Sequence, residues 1–594
     1  MKRLLAFVPA VGWLRTYDRR ADLPGDVSAG LTVAVMLIPQ AMAYAMLAGL
    51  PPIVGLYASV LPLFAYALLG TSRQLAVGPV AMVSLLVASG LGGVAEPGSE
   101  RYVALAVVLA GLVGAIQLGM GVLRLGRLVT LLSHPVIAGF TSAAAIVIAL
   151  SQLGHLLGVE LGRSARLHEL VAAAVPRLGD THLITLALGA AAIAVLLVVK
   201  KRWPRLPGAL IVVALGTLAT FLLRLDEAGV RIVGAVPAGL PSPSLPAFEL
   251  ADLGALAPTA VAIALVGFME SISVAKAFAR KNRYAIDANQ ELIGLGAANL
   301  AGFGFGGYPV TGGFSRTAVN AQAGARTGLA TAITAAVIAV SLLFLTPLFH
   351  FLPKAVLAAI VMVAVAGLVD LRELGHLWHV KRTDAVLWLV TFAGTLFFGI
   401  EEGIAAGVVL SIAIFVRRST RPHHAVLGRL PGTRSYRNVK HFPEAETVEG
   451  VLVWRFDASL YFANASFFRE EVDRLLLDDA GVRAVVLDAS GINDLDASGE
   501  ALLSELHTAL ESRAIRLYVA NVKGPVREVL ARGGFTAALG EDRFFFDLHE
   551  AVEAAIAGLA PAGEPASEAR ARSTSLQDAA PAPASEVGTR SATG

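Results

Sequence analysis

An arginine stands in the middle of "YPVTGGFSRTAVN", residues 308–320, with long apolar runs on either side. Gly312 and Gly313 break the segment, so an extended "YPVT" is expected to meet two glycines and give way to a helix from about Phe314. Arg316 then lies about one turn into that helix, and helical side chains lean back toward the helix N-terminus. The guanidinium would therefore reach toward the helix start, where free N–H groups and the positive end of the dipole already favour an anion. Two chemistries fit: an anion site, or a structural arginine tied to a buried carboxylate or to carbonyls.

A second stretch, "QLAVGPVAMVSLLVAS" at 74–89, parses in the same way. Gly78 permits a sharp turn, and Pro79 suits the first position of a helix, where its missing N–H has no partner. A third residue stands out in "ALVGFMESISVAKAF", 264–278: Glu270, an isolated carboxyl deep in an apolar run. Low dielectric disfavours the charged form of a carboxyl, so such a group can load and release a proton. Glu270 is read as a coupling residue. The alternative is a permanent ion pair with Lys276 or Arg316.

The composition says what positions these residues. Of 594 residues, 56% are hydrophobic and 16% charged, against about 25% charged in soluble domains. The apolar residues form long, nearly charge-free runs up to about residue 416, the signature of transmembrane helices. Spans are predicted at 29–50, 53–70, 76–92, 102–123, 128–152, 182–199, 208–224, 254–278, 286–303, 311–322, 327–348, 353–369, 384–399 and 401–416, fourteen in all. Lys/Arg clusters follow the even-numbered spans, including Arg124 and Arg127, the run Lys200 to Arg202, and Arg417 with Arg418. By the positive-inside rule, both termini of the membrane part are cytoplasmic. The two broken spans sit seven apart and enter from opposite sides. A seven-plus-seven inverted repeat would bring their helix starts together near mid-membrane, the best sequence pointer to a transporter's substrate site.

Several function classes drop out. Without cysteine there are no disulfides, thiolate chemistry or cysteine-ligated metals, and a net charge of +3 gives no case for nucleic acid. The twelve histidines lack ligand spacing, and "RPHHAV" (421–426) reads as linker, so no metal, cofactor or enzyme constellation is expected. Residues 1–28 read as a cytoplasmic lead-in and not a signal peptide, since the apolar stretch is short and broken by Pro9 and Arg15. After a linker at 418–450, strands "GVLVWRFDASLYFANA", "RAVVLDAS" and "RLYVANV" alternate with amphipathic helices over 451–559, a small soluble α/β domain. Residues 560–594 are Pro/Ala/Ser-rich and are expected to be a disordered tail.

The segments "IPQAMAYAMLAGLPPIVGLYASVLP" (38–62), "AVGPVAMVS" (76–84) and "DANQELIGLGAANLAGFGFGGYPVTGGFSRTAVNAQAG" (287–324) resemble the sulfate permease (SulP) family. The resemblance implies a uracil-permease-like fold of core and gate domains in an inverted repeat over 29–417. It also implies a STAS domain at 451–559 and a homodimer. By function it implies anion transport, with sulfate, bicarbonate, chloride and dicarboxylates represented. The expected form is sulfate uptake with protons, by elevator-like alternating access across an inner membrane. An uncoupled conductor or exchanger, a nucleobase carrier and a membrane-anchored signalling scaffold are the competing readings. Carried over, the anion site falls on Gln40, Tyr44, Pro79, Val80, Ala81, Phe314, Ser315 and Arg316. Gln40 alternatively makes an interhelical hydrogen bond, and Tyr44 and Phe314 alternatively pack in the core. Asp287 and Glu291 are read as starting a helix. In the STAS turn "DASG", Ala497 occupies the place of the family's phosphoserine, and Ser498 reads as a helix cap.

Overall fold

The computed structural model describes residues 8–127, 133–161, 166–203, 206–243 and 245–559, so the tail at 560–594 lies outside the described residues. The chain divides into two units, Met1–Ser411 and Ile412–Gly594.

In the first unit every predicted apolar run carries helix. Among the described residues, seven helical stretches are long and apolar enough to cross a membrane, the longest being Leu250–Lys281. The run at 53–70 is two helices, Pro52–Tyr57 and Leu61–Leu69. The two broken spans contain short helices, one of 12 residues, Ala81–Gly92, and one of 9, Phe314–Gln322. Each follows a two-residue strand, β1 (Val77–Gly78) and β2 (Thr311–Gly312).

Packing sorts the helices into two groups. In one, Ala288–Gly304 lies along Glu100–Val122 and Leu61–Leu69, Leu250–Lys281 along Glu100–Val122 and Ala81–Gly92, and Leu329–Phe344 along Leu23–Leu47. In the other, Arg382–Phe397 packs on His134–Ser151 and Lys354–Ala366 on Leu183–Arg202. The groups meet where Lys354–Ala366 and Gly208–Leu223 touch Leu23–Leu47. Small residues bring backbones together, as expected where lipid removes the hydrophobic drive between helices. A Cβ at Gly114 would sit 2.8 Å from the Gly296 carbonyl oxygen, so only glycine lets those two helices touch.

The second unit is a six-stranded sheet in the order β4-β3-β5-β6-β7-β8. Its strands are β3 (His424–Arg429), β4 (Tyr436–Asn438), β5 (Val451–Phe456), β6 (Ala484–Asp488), β7 (Arg516–Ala520) and β8 (Phe544–Phe545). Strands β5 to β8 run parallel, whereas β3 pairs antiparallel with both β4 and β5. Successive side chains alternate faces. Trp454, Phe456, Leu487 and Leu517 pack one face with Phe468, while Val451, Val453, Val486 and Tyr518 pack the other with Ala551 and Val552.

Two expectations are corrected here. The stretch read as a linker at 418–450 supplies β3 and β4, and "RPHHAV" runs straight into β3. His424 is half-buried against Trp454 and Phe467, its imidazole pushed below the usual histidine range by burial. The cap of the helix Ala497–Ser512 is Asp496, which accepts from the Gly499 N–H at 2.8 Å, and Ser498 is exposed. Either side chain could cap a helix, and at this one the aspartate does, its charge also meeting the positive end of the helix dipole.

Candidate functional site

The extended arms of the two broken segments pair with each other. β1 and β2 form an antiparallel ladder with Val77 opposite Gly312 and Gly78 opposite Thr311, and the Gly313 N–H donates to the Ala76 carbonyl at 3.1 Å. Buried backbone inside a membrane must find its partners within the protein. Here each broken segment supplies them to the other. Gly78 has φ +148°, a conformation in which a side chain is strained.

Both helices then start in the same way. Val80 and Gly313 are extended N-cap residues, and neither helix start has a side-chain cap. Pro79 therefore lies one residue ahead of the N-cap, not at the first helical position as expected. A proline with fixed φ continues an extended arm as readily as it opens a helix. The chain thus brings two uncapped helix N-termini, at Ala81 and Phe314, to the ends of one small sheet.

Arg316 spans the gap between the halves. It is 2% exposed, and its Nη1 donates to the Pro79 carbonyl at 2.5 Å, across 237 residues of sequence. Its Nε and Nη2 are buried with no hydrogen-bond partner among the described residues. Nη2 lies beside β1 and the second helix's N-cap, 3.4 Å from where a Gly78 Cβ would be and 3.1 Å from that of Gly313. Both sequence-level chemistries are thus present in part: the arginine is tied to a carbonyl, and it keeps unpaired donors.

The other expected residues divide. Gln40 and Tyr44, one turn apart on the helix Leu23–Leu47, are both 6% exposed, and among the described residues Gln40 makes no interhelical hydrogen bond. Pro39 interrupts that helix just before Gln40 and leaves the Val35 carbonyl without its helical donor. Tyr44 and Glu270 lie within electrostatic reach of Arg316 and of each other. Glu270 is half-buried and forms no ion pair with Arg316 or Lys276 among the described residues. Val80 and Ala81 are buried, whereas Phe314 is 59% exposed and Ser315 is also exposed. Core packing, the alternative for Phe314, is therefore not what the structure shows.

Sequence reasoning missed the polar cradle beneath the sheet. Thr311 Oγ1 donates to the Gly267 carbonyl at 2.6 Å and lies 2.7 Å from Ser271 Oγ, which accepts from the Gly312 N–H at 2.8 Å. Asn299 accepts from the Val310 N–H at 2.7 Å and donates to the Val310 carbonyl at 3.1 Å and to Gln117 at 3.0 Å. Ser84 and Tyr308 hydroxyls lie 2.8 Å apart. The available signal was the isolated Gln117 and Asn299 in otherwise apolar runs.

Two short helices that start at the ends of one small sheet, beside a buried arginine, form a geometry suited to holding an anion. The chain belongs to the sulfate permease family, whose model matches residues 23–391, and a STAS domain model matches 442–551. It is a multi-pass membrane anion transporter with a C-terminal STAS domain. A probable sulfate transporter 4.2 of Arabidopsis thaliana is 43% identical over 570 residues, covering 93% of this chain and 84% of that protein. A probable sulfate transporter of Mycobacterium tuberculosis is 39% identical over 551 residues, covering 92% and 98%. The murine Solute Carrier 26 family member A9 anion transporter in the inward-facing state has the same fold, with TM-score 0.86 and 26% identity over 94% of this chain and 95% of that one. The transmembrane domain of the cyanobacterial bicarbonate transporter BicA aligns at TM-score 0.57 and 25% identity, over 66% and 97%.

Gly78→Ala tests the sheet. The added methyl forces an alanine into a strained backbone region at about 1–3 kcal/mol, while meeting Arg316 Nη2 only at van der Waals distance. Anion uptake in cells should fall severalfold at normal surface expression; unchanged uptake would mean that the arm's conformation is not needed.

Proposed function

We propose that this protein takes up sulfate across the inner membrane together with protons, by elevator-like alternating access. In this reading fourteen spans form a seven-plus-seven inverted repeat with cytoplasmic termini, the packing group around β1 and β2 is the moving core, and two copies associate as a homodimer. Gln40, Tyr44, Pro79, Val80, Ala81, Phe314, Ser315 and Arg316 surround the anion, and Glu270 carries the proton.

The observation that carries the reading is the pair of uncapped helix starts with Arg316 between them, its Nε and Nη2 unpartnered among the described residues. Charge arithmetic supports a divalent anion. Each helix N-terminus contributes roughly +0.5 elementary charge, so with the Arg316 guanidinium the site offers about +2. An ionised Glu270 removes one unit, and a proton on Glu270 restores it. Proton and dianion therefore favour each other's binding, which is the thermodynamic requirement for symport. Named relatives support sulfate in particular.

The test is radiolabelled sulfate uptake by proteoliposomes, with and without an inward proton gradient, in competition with bicarbonate, chloride, nitrate, succinate and fumarate. Sulfate should saturate, and the gradient should stimulate uptake. Preferential competition by bicarbonate, or no response to the gradient, would replace this reading with that of an exchanger or uncoupled conductor.

A further inference from the structure

Glu291 was expected to help start the helix Ala288–Gly304, but that task falls to Asp287, which accepts from the Asn289 and Gln290 N–H groups. Glu291 is fully buried, and its carboxylate turns to a different part of the chain. Oε1 accepts from the Thr71 N–H at 2.6 Å, the Thr71 hydroxyl at 2.6 Å and the Ser72 N–H at 2.9 Å, while Oε2 accepts from the Tyr66 hydroxyl at 2.7 Å. Four donors meet one buried carboxylate, and among the described residues it has no cationic partner. Burying a charge costs several kcal/mol unless its lone pairs are satisfied, and here the satisfying groups belong almost entirely to one connector.

That connector leads directly into the site. Ser72 Oγ accepts from the Leu75 N–H at 3.2 Å, the Ala76 N–H donates to Thr317 Oγ1 at 3.1 Å, and Val77 opens β1. Gln74 extends the link to the second broken segment. Its amide donates to the Ala325 carbonyl at 3.0 Å, its backbone carbonyl accepts from Asn320 at 2.8 Å, and its Oε1 accepts from Tyr284 at 2.6 Å. Beyond Ala325, the fully buried Asp26 holds the Arg326 and Thr327 N–H groups at 2.7 and 3.0 Å. The connectors of both broken segments are thus held by one hydrogen-bonded belt with a carboxylate at each end.

We propose that Glu291 is a positioning residue for the anion site: it fixes residues 71–76, and through them sets where β1, the Pro79 carbonyl and the start of helix Ala81–Gly92 stand relative to Arg316. The inference rests on the anion-site reading above. It assigns Glu291 no proton to carry, which separates it from Glu270. Glutamine should therefore serve almost as well as glutamate. Its amide oxygen can accept from Thr71 and Ser72, and its NH2 can donate to the Tyr66 oxygen.

The experiment compares sulfate KM, maximal rate and pH profile in proteoliposomes for wild type, Glu291→Gln, Glu291→Ala, Thr71→Val and Arg316→Ala. Glu291→Gln should keep KM within about twofold and keep the wild-type pH profile, while Glu291→Ala, with buried donors left unpaired, should raise KM about tenfold or more. Should Glu291→Ala not fold, Thr71→Val decides. It deletes one donor, leaves the backbone contacts, and should raise KM about threefold. A wild-type KM in the folded alanine variant, or in Thr71→Val, would reduce Glu291 to a purely structural group. Loss of the pH response in Glu291→Gln would make it a proton carrier. Either result overturns the proposal. If instead Arg316→Ala keeps the wild-type KM, it is the anion-site reading that fails.

Discussion

Arg316→Ala is expected to raise the sulfate KM by about 30-fold or more, since truncating one partner of a buried, hydrogen-bonded charge interaction costs about 2–5 kcal/mol. Two losses combine. The site loses its one full positive charge, about half of the +2 that faces the anion. The Pro79 carbonyl also loses its donor, so the halves lose the one side-chain bond from Arg316 that ties them together. Arg316→Lys separates these effects. Lysine keeps the charge but has no planar fork to hold a carbonyl and an anion at once, so its KM should lie between wild type and alanine. The measurement is saturable sulfate uptake by proteoliposomes of protein checked for monodispersity. An alanine variant with wild-type KM would make Arg316 a structural clamp alone.

Glu270→Gln is the second large effect. Under the proposed symport, an acidic exterior and neutral lumen should drive sulfate inward in wild type, because each dianion would enter with the proton that balances Glu270. Glutamine holds the site permanently in its uncharged state. Sulfate still binds and exchanges, but the proton gradient no longer does work on it. Gradient-driven accumulation should vanish and uptake should become flat with pH, while sulfate–sulfate counterflow persists. Full gradient-driven accumulation by Glu270→Gln would remove the proton role from this residue.

Much of the site was legible because membrane burial makes irregularity conspicuous. A Gly-Pro or Gly-Gly break and an arginine inside long apolar runs have few innocent explanations. Both half-helices, Arg316 and the alternating strands β5 to β7 follow from such local signals. What was hidden is what joins distant segments. Nothing in "AVGP" shows that its carbonyls and N–H groups pair with "VTGG", or that Pro79 is a hydrogen-bond acceptor for Arg316. Glu291 looked like a helix-start acid because a carboxylate in a first turn usually is one. Three of its four donors come from a connector some 220 residues earlier, and the fourth is Tyr66 on the helix before it. β3 and β4 escaped because a strand that opens on a histidine, and its three-residue edge partner, carry too little apolar pattern to stand out. The exposure of Phe314 was likewise invisible, since a phenylalanine opening a helix in an apolar chain reads as core.

Selenate, a sulfate analogue with its own anomalous signal, tests most directly whether the anion sits between the two helix starts. Crystals of the intact protein grown with selenate should give one anomalous peak within hydrogen-bond distance of Arg316 Nε or Nη2 and of the N–H groups that open helices Ala81–Gly92 and Phe314–Gln322. An excess of sulfate should abolish it. A sulfate-displaceable peak elsewhere in the membrane unit, with none at the junction, would contradict the assignment of this junction as the anion site.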